Sequence, residues 1–261
     1  MFTSNPFAAL TEVLPASAMQ VYVVLMVLAV VAGTLFDIIH KGSAKYFFES
    51  WRSSKRKGPQ AIGGAEMASL AIKTGLVDVL ASGEFCGVRR RVAHLLTMYG
   101  FVIYVVTTVL MVFRYSTPAI ATPSILPLLW WIGGLMTCVG GYWFWFFIRA
   151  DVSAEGNSPL RIIRADLFVL SLLASVTLGL IWASQQARAS SATNVFFALY
   201  ILATTVLFGS VTWSKFAHMF FKPAAAFEKR VSYANGSRSN LPAASAKPEQ
   251  FARAREQPRH Y

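Results

Sequence analysis

The chain is poor in the residues from which soluble enzymes build their sites. Of 261 residues only 14% are Asp, Glu, Lys or Arg, against about a quarter in ordinary soluble domains. Acids are the scarcer sign: 12 Asp and Glu stand against 24 Lys and Arg, a formal charge of +12. The two cysteines, Cys86 and Cys138, are too few for a cysteine-only zinc or iron–sulfur centre. Cys138 lies in an apolar run and Cys86 in the basic segment GEFCGVRRR, so no disulfide is expected between them, and Cys86 reads as an ordinary loop thiol. Four histidines, His40, His94, His218 and His260, are the whole supply of imidazole. The sequence carries no phosphate loop, dinucleotide fingerprint or nucleophile–base motif. Catalysis by this chain alone is therefore not expected.

What the chain has in quantity is apolar and aromatic. It is 55% hydrophobic, with 20 Phe, 9 Tyr and 7 Trp, and its mean hydropathy is +0.50. A helix needs about 20 apolar residues to cross the hydrocarbon core of a bilayer. Five stretches qualify, near 18–39, 92–113, 125–148, 165–183 and 194–221, the third very rich in Trp and Phe (LLWWIGG…GGYWFWFFI). The fold class expected is an all-α integral membrane protein, a five-helix transmembrane bundle spanning 18–223. Residues 1–17 lack a basic leader, and the first apolar run is too long for a signal peptide, so that span is expected to stay.

The positive residues orient the bundle. Residues 1–17 carry none. The segment 40–91 carries ten: Lys41, Lys45, Arg52, Lys55, Arg56, Lys57, Lys73, Arg89, Arg90 and Arg91. After it come Arg114 alone, then Arg149, Arg161 and Arg164, then Arg188 alone, then a strongly basic tail. Alternation of poor and rich connections with five spans puts the N-terminus outside and the C-terminus in the cytoplasm. Because the basic residues fall between and after membrane runs, they are read as topology signals and contacts for anionic lipid or an acidic partner, and nucleic-acid binding is not expected. Within 40–91, Ser53–Gly64 reads as a loop and Ala65–Ala81 as an amphipathic helix, lying on the membrane or against a partner. The tail 224–261, rich in Ala, Ser, Pro, Arg and Lys, reads as a segment without stable structure.

With that topology, His40 ends the first span, His94 lies about one turn inside the second, and His218 lies in the last turn of the fifth. All three fall at the cytoplasmic boundary. Two imidazoles on facing helices are the ligand set of a low-spin b haem. His94 and His218 suit this best, since both lie just inside apolar sequence, and His40 is the alternative ligand. Arg89, Arg90, Arg91 and Lys215 are candidates to neutralise haem propionates. A three-histidine zinc or copper site is the rival metal reading. His260, in the tail, is read as an ordinary surface residue.

At RRRVAHLLTMYGF (89–101) and WSKFAHMFFKP (213–223) the chain resembles the nitrate reductase gamma-subunit-like cytochromes b, and within them the membrane subunits of sulfur-metabolism complexes: the quinone-interacting oxidoreductase and the anchor of adenylylsulfate reductase. The resemblance covers roughly 18–223. It implies five spans with the N-terminus outside, in a bacterial inner membrane, and two stacked haems with two histidines on each of the second and fifth spans. His94 and His218 match the inner pair. The outer ligands would stand at 104 and 200, where this chain has Tyr104 and Tyr200. A single inner haem b is expected, serving a redox site in the cytoplasmic half and moving little electron charge across the membrane.

The expected function is a membrane anchor and electron-transfer subunit. A soluble iron–sulfur flavoenzyme, by the resemblance adenylylsulfate reductase, would dock on loop 40–91 and the tail and exchange electrons with membrane quinone. Tyr99, Tyr104, Tyr200, Trp213 and Lys215 are the candidate quinone contacts. Two rivals stand beside it. One is a haem-free tether with a quinone pocket. The other is a small transporter using Thr107, Thr108, Thr137, Thr204, Thr205 and Ser210.

Overall fold

The structure, a computed structural model, describes residues 2–40, 43–83, 85, 87–212 and 218–237. Every regular element among them is helical. In chain order these are α1 (Pro6–Ala9), α2 (Ala16–His40), α3 (Ser43–Lys57), α4 (Gly64–Lys73), α5 (Val88–Arg114), α6 (Ile125–Trp143), α7 (Ala150–Ser153), α8 (Leu167–Ala187), α9 (Thr193–Gly209) and α10 (His218–Ala234). Four stretches are long and apolar enough to cross a membrane: Ala16–His40, Val88–Arg114, Ile125–Ile148 and Arg164–Ala187.

The fifth apolar helix is shorter than the sequence suggests. Hydropathy carries the run from 194 to 221, but α9 has 17 residues and stops at Gly209, with Ser210 leaving helical conformation. At 1.5 Å per residue such a helix is about 26 Å long, less than a hydrocarbon core of about 30 Å. Glycine followed by serine is a weak helix continuation whatever its hydropathy. Two further expectations are corrected. Ser53–Lys57, assigned to a loop, completes α3. Residues 224–234, assigned to an unstructured tail, belong to α10.

The chain forms two compact units, Met1–Thr34 with Val92–Phe216 and Leu35–Arg91 with Ala217–Tyr261. In the first, α6 packs against both α5 and α8, and two glycine pairs seven residues apart allow it. A Cβ on Gly133 would lie 2.7 Å from Gly100 O, and one on Gly140 would lie 2.6 Å from Ala93 O. These two glycines form the seam against α5. Gly134 and Gly141 form the other seam, where a Cβ would meet the Cδ2 atoms of Leu180 and Leu173 on α8 at 2.8 and 2.6 Å. Lipid offers apolar side chains no preference for protein, so close packing and interhelical hydrogen bonds must hold the helices. The hydrogen bonds are present: Ser175 Oγ to Thr204 Oγ1 at 2.7 Å joins α8 to α9, Tyr142 Oη to Thr177 Oγ1 at 2.9 Å joins α6 to α8, and Tyr22 Oη donates to Ile201 O at 3.1 Å, joining α2 to α9.

Beyond α6 the helix widens into a π-turn, Phe144–Ile148, in which Arg149 N reaches back five residues to Phe144 O. The widening turns Arg149 inward. Its guanidinium lies 3.9 Å from the Trp145 ring centre, pairs with Asp166 at 2.7 Å and donates to Arg161 O at 2.7 Å. Asp166 in turn accepts from Ile163 N, so this buried pair closes the α6–α8 connection.

The second unit is built from α3, α4 and α10. Asp78 accepts two hydrogen bonds from Arg230 at 2.5 and 2.8 Å, a bidentate pair of the strong kind. Ser50 donates to Glu228, and Trp51 stacks on Phe227 with ring centres 5.6 Å apart. Ser54 Oγ meets Ser232 Oγ at 3.1 Å, and Asn235 Nδ2 donates to Ser54 O at 3.1 Å. Gly58 lies so close to Asn235 that a Cβ there would meet Asn235 Cγ at 2.8 Å.

α4 runs on into a second π segment, Thr74–Leu80, closed by Ala81 N to Leu76 O. A π-turn holds about 4.4 residues, so each residue advances by about 82° instead of 100°. With that winding from Thr74 onward, Ile72, Leu76 and Leu80 fall within about 30° of one line and Asp78 about 170° away. In an unbroken α-helix Leu80 would drift about 80° from Ile72. The π segment thus separates the apolar stripe from the acid that binds α10.

The glycine seams make a direct prediction. In Gly100→Ala the new methyl meets Gly133 O and Thr137 N, both backbone, at 2.7 Å. Thermal unfolding in detergent should show a loss of about 1–3 kcal/mol. Gly64→Ala, where nothing lies within 4 Å, should unfold like the parent.

Candidate functional site

Each described histidine belongs to a different helix. His94 is half-buried in α5. It follows Ala93, which is fully buried and faces Gly140 of α6, so it lies about 100° around the helix from that seam. His40 is the last residue of α2, exposed, with its ring stacked on Phe36 at 5.1 Å and 13°. His218 does not close the fifth apolar helix. It opens α10, an amphipathic helix of the second unit, and its side chain lies outside the described residues, as do Trp213, Lys215, Cys86 and His260. Among the described residues no three of His, Cys, Asp or Glu gather into a set that could hold a metal ion.

The three arginines before His94 belong to the first turn of α5, which begins at Val88 rather than 92. The positive end of a helix disfavours cations, so these side chains need other partners. Arg91 finds one: its Nε donates to Ala81 O at 2.7 Å, which ties down the connection from α4. Arg89 is exposed and Arg90 half-buried. Tyr99 is on an outward face of α5.

Tyr104 and Tyr200 are both buried, and both face Gly179 of α8. A Cβ on Gly179 would overlap Tyr104 Oη and meet Tyr200 Cε2 at 3.0 Å. From these two phenols a continuous aromatic cluster extends. Tyr104 stacks on Trp130 at 4.8 Å. Trp130 meets Phe7 edge-on at 6.0 Å, Phe7 packs on Trp182 at 5.3 Å, and Trp182 stacks on Tyr200 at 5.7 Å. Trp130 and Trp182 are wholly buried. Trp130 Nε1 donates to Thr108 Oγ1 at 2.9 Å. Tyr104 Oη interacts with the Tyr200 phenol, outside good hydrogen-bonding geometry.

Phe7 reaches the cluster because the N-terminal segment folds over it. Asn5 Oδ1 accepts from Phe7 N and Ala8 N and so caps α1, with Pro6 in the first helical position. Asn5 Nδ2 then donates to Tyr115 O at 2.8 Å and Thr122 Oγ1 at 3.1 Å, at the α5–α6 connection. The cavity beside this segment, lined by Phe7, Leu10, Leu14, Met19, Val112 and Ser116 among others, is only about 10 Å³, room for at most one water.

This packing bears on what the site can hold. Positions 104 and 200 do not fit a second haem: both rings are stacked on tryptophans and pressed against a glycine backbone, with no gap for a macrocycle between them. The hydroxyls named for a transporter path bond within their own helices. Thr107, Thr108, Thr137, Thr204 and Thr205 each donate to the carbonyl four residues back, and Ser210 to the one three back. Thr108, Thr204 and Thr205 in addition meet Trp130, Ser175 and Tyr22 of neighbouring helices. Asp166 is taken by Arg149.

Sequence reading missed the roles of Phe7, Trp130, Trp182 and Gly179. Asn5-Pro6 is a legible helix start, but nothing local says that the short helix packs into a bundle. Comparison with protein families, curated proteins and solved structures found no match.

The Tyr104 hydroxyl makes no hydrogen bond of good geometry, so removing it takes away little support. Tyr104→Phe should therefore leave the detergent unfolding midpoint unchanged or raised. Trp130→Ala should lower stability by about 3–5 kcal/mol, the range for emptying a core aromatic site. A large loss in Tyr104→Phe would show that the phenol holds a structural hydrogen bond.

Proposed function

We propose that this chain is a membrane anchor of a bacterial inner membrane, N-terminus outside, with α9 serving as a short fifth span beside the four long ones, and that it joins a soluble cytoplasmic iron–sulfur flavoenzyme to the quinone pool. The observation that carries this reading is the chemical asymmetry along α5. Near its start it bears half-buried His94 with Arg89 and Arg90 one turn before it. Ten residues on, at Tyr104, it is packed into a solid aromatic cluster. This asymmetry favours the His94 end as the place of a redox group.

The haem is the part that rests on resemblance. His94, in a membrane-crossing helix and half-buried, suits an axial ligand. His218 is its counterpart by sequence, and His40 the alternative. A b haem would supply one-electron transfer. The residues of this chain would ligate it, balance its propionates with Arg89 or Arg90, and keep water from it with the apolar faces of the spans. A quinone headgroup would meet the membrane-facing Tyr99, or Trp213 and Lys215. The sulfur-metabolism partner, adenylylsulfate reductase, is carried by the same resemblance. Its docking surface would be the second unit, whose α3 exposes Lys45, Arg52 and Arg56.

A haem-free tether is the second reading, favoured by the aromatic filling at Tyr104 and Tyr200. The two separate cleanly. The complex is purified from native membranes as wild type and as His94→Ala, and oxidised and dithionite-reduced spectra are recorded. The expected result is a low-spin b-type spectrum in the wild type that is lost in His94→Ala, with the soluble partner retained in both. A normal spectrum in His94→Ala would sink the ligand assignment. A wild type without haem that still holds its partner would select the tether.

A further inference from the structure

The helix Gly64–Leu80 has two faces with different fates. One is used inside its own unit: Thr74 is buried, and Asp78 is locked bidentately to Arg230 of α10. The opposite face carries Ile72, Leu76 and Leu80 in line, at 63%, 56% and 47% exposure, with Val77 beside them at 40%. Four large apolar side chains on a two-turn segment are an unsatisfied surface in water. The π winding is what gathers them.

We propose that this segment is an interfacial membrane helix, its Ile72–Leu76–Leu80 stripe seated at the headgroup–acyl boundary of an anionic bilayer. Two observations select lipid as the occupant. The first is continuity: Leu80 is eight residues from Val88, where a helix long and apolar enough to cross the membrane begins. The short connection is pinned by Arg91 on Ala81 O, so the stripe cannot stray far from the depth at which α5 enters. The second is charge. Lys73 flanks the stripe and is exposed, as is Arg89 at the start of α5, while the acid within the π segment is turned to the far side. An apolar face edged with cations is the pattern of helices that lie in the interface plane, where long basic side chains reach the phosphates. The inference needs the chain to be a membrane protein, but neither haem nor partner. It leaves the basic face of α3, rather than the stripe, for a docking protein.

The test is a depth measurement on the full chain in vesicles of phosphatidylcholine with phosphatidylglycerol. Cys86 and Cys138 are replaced by Ala, and single cysteines are placed by Ile72→Cys, Leu76→Cys, Glu66→Cys and Val24→Cys and spin-labelled. Accessibility to oxygen is compared with accessibility to a water-soluble nickel chelate. Labels at 72 and 76 should show an oxygen-to-nickel ratio severalfold higher than at 66, and below that at 24 in the span. Nickel accessibility at 72 and 76 equal to that at 66, with 24 still shielded, would overturn the interfacial helix alone. Nickel access at 24 as well would overturn the membrane reading itself. Should the cysteine-free chain fail to fold, Ile72→Cys and Glu66→Cys in the parent chain, challenged in inverted membrane vesicles with a membrane-impermeant maleimide and read above the parent's own labelling, give the same contrast. Protection at 72 beyond that at 66 is expected, and equal labelling contradicts the proposal.

Discussion

Close approach of helix backbones is the constraint on which the membrane-embedded unit depends. In lipid the hydrophobic effect does not drive one apolar helix toward another, and association must come from dispersion at short range and from hydrogen bonds. Gly133 and Gly140 remove the side chains that would keep α6 from α5. Gly134 and Gly141 do the same toward α8. The pairs recur every seven residues, so each seam returns to the same face after two turns. Threonine and serine hydroxyls between helices then hold what the glycines allow, and Thr204 and Thr205 among them also bond back to their own helix.

That closeness determines where chemistry can occur. With α8 drawn in, Gly179 receives the rings of Tyr104 and Tyr200, and Trp130, Trp182 and Phe7 fill the space around them. A bundle that would need a gap for a second redox group at this level has a continuous stack of aromatic rings instead. In the proposed reading the cofactor belongs at the far end of α5, near His94. An electron route built there would serve a quinone near one face of the membrane, and its reaction would move little electron charge across it.

Much of this was legible in sequence and some was not, for identifiable reasons. The apolar runs gave α2, α5, α6 and α8 to within a few residues, because a membrane helix advertises itself over twenty positions. Hydropathy failed at α9, since an apolar run does not report a helix stop at Gly209–Ser210. Composition failed at α10: an Ala- and Lys-rich segment resembles a disordered tail, and the partner that orders it, Asp78, is 152 residues away in sequence. The π segments were invisible because a periodicity search assumes 3.6 residues per turn. Tyr104 and Tyr200 were singled out for the ligands they replace. Their common contact with Gly179, and the N-terminal segment that seals the cluster, depend on three-dimensional packing that no local pattern encodes.

The proposed reading places a single haem at the His94 end, beside a bundle level that is packed with aromatic rings at Tyr104 and Tyr200. The most direct measurement is the haem content of the purified wild-type protein, by pyridine haemochrome against protein concentration from amino-acid analysis. The account predicts one haem b per chain. Two per chain would contradict it, since the second would have to occupy the space that Tyr104, Trp130, Trp182 and Tyr200 fill.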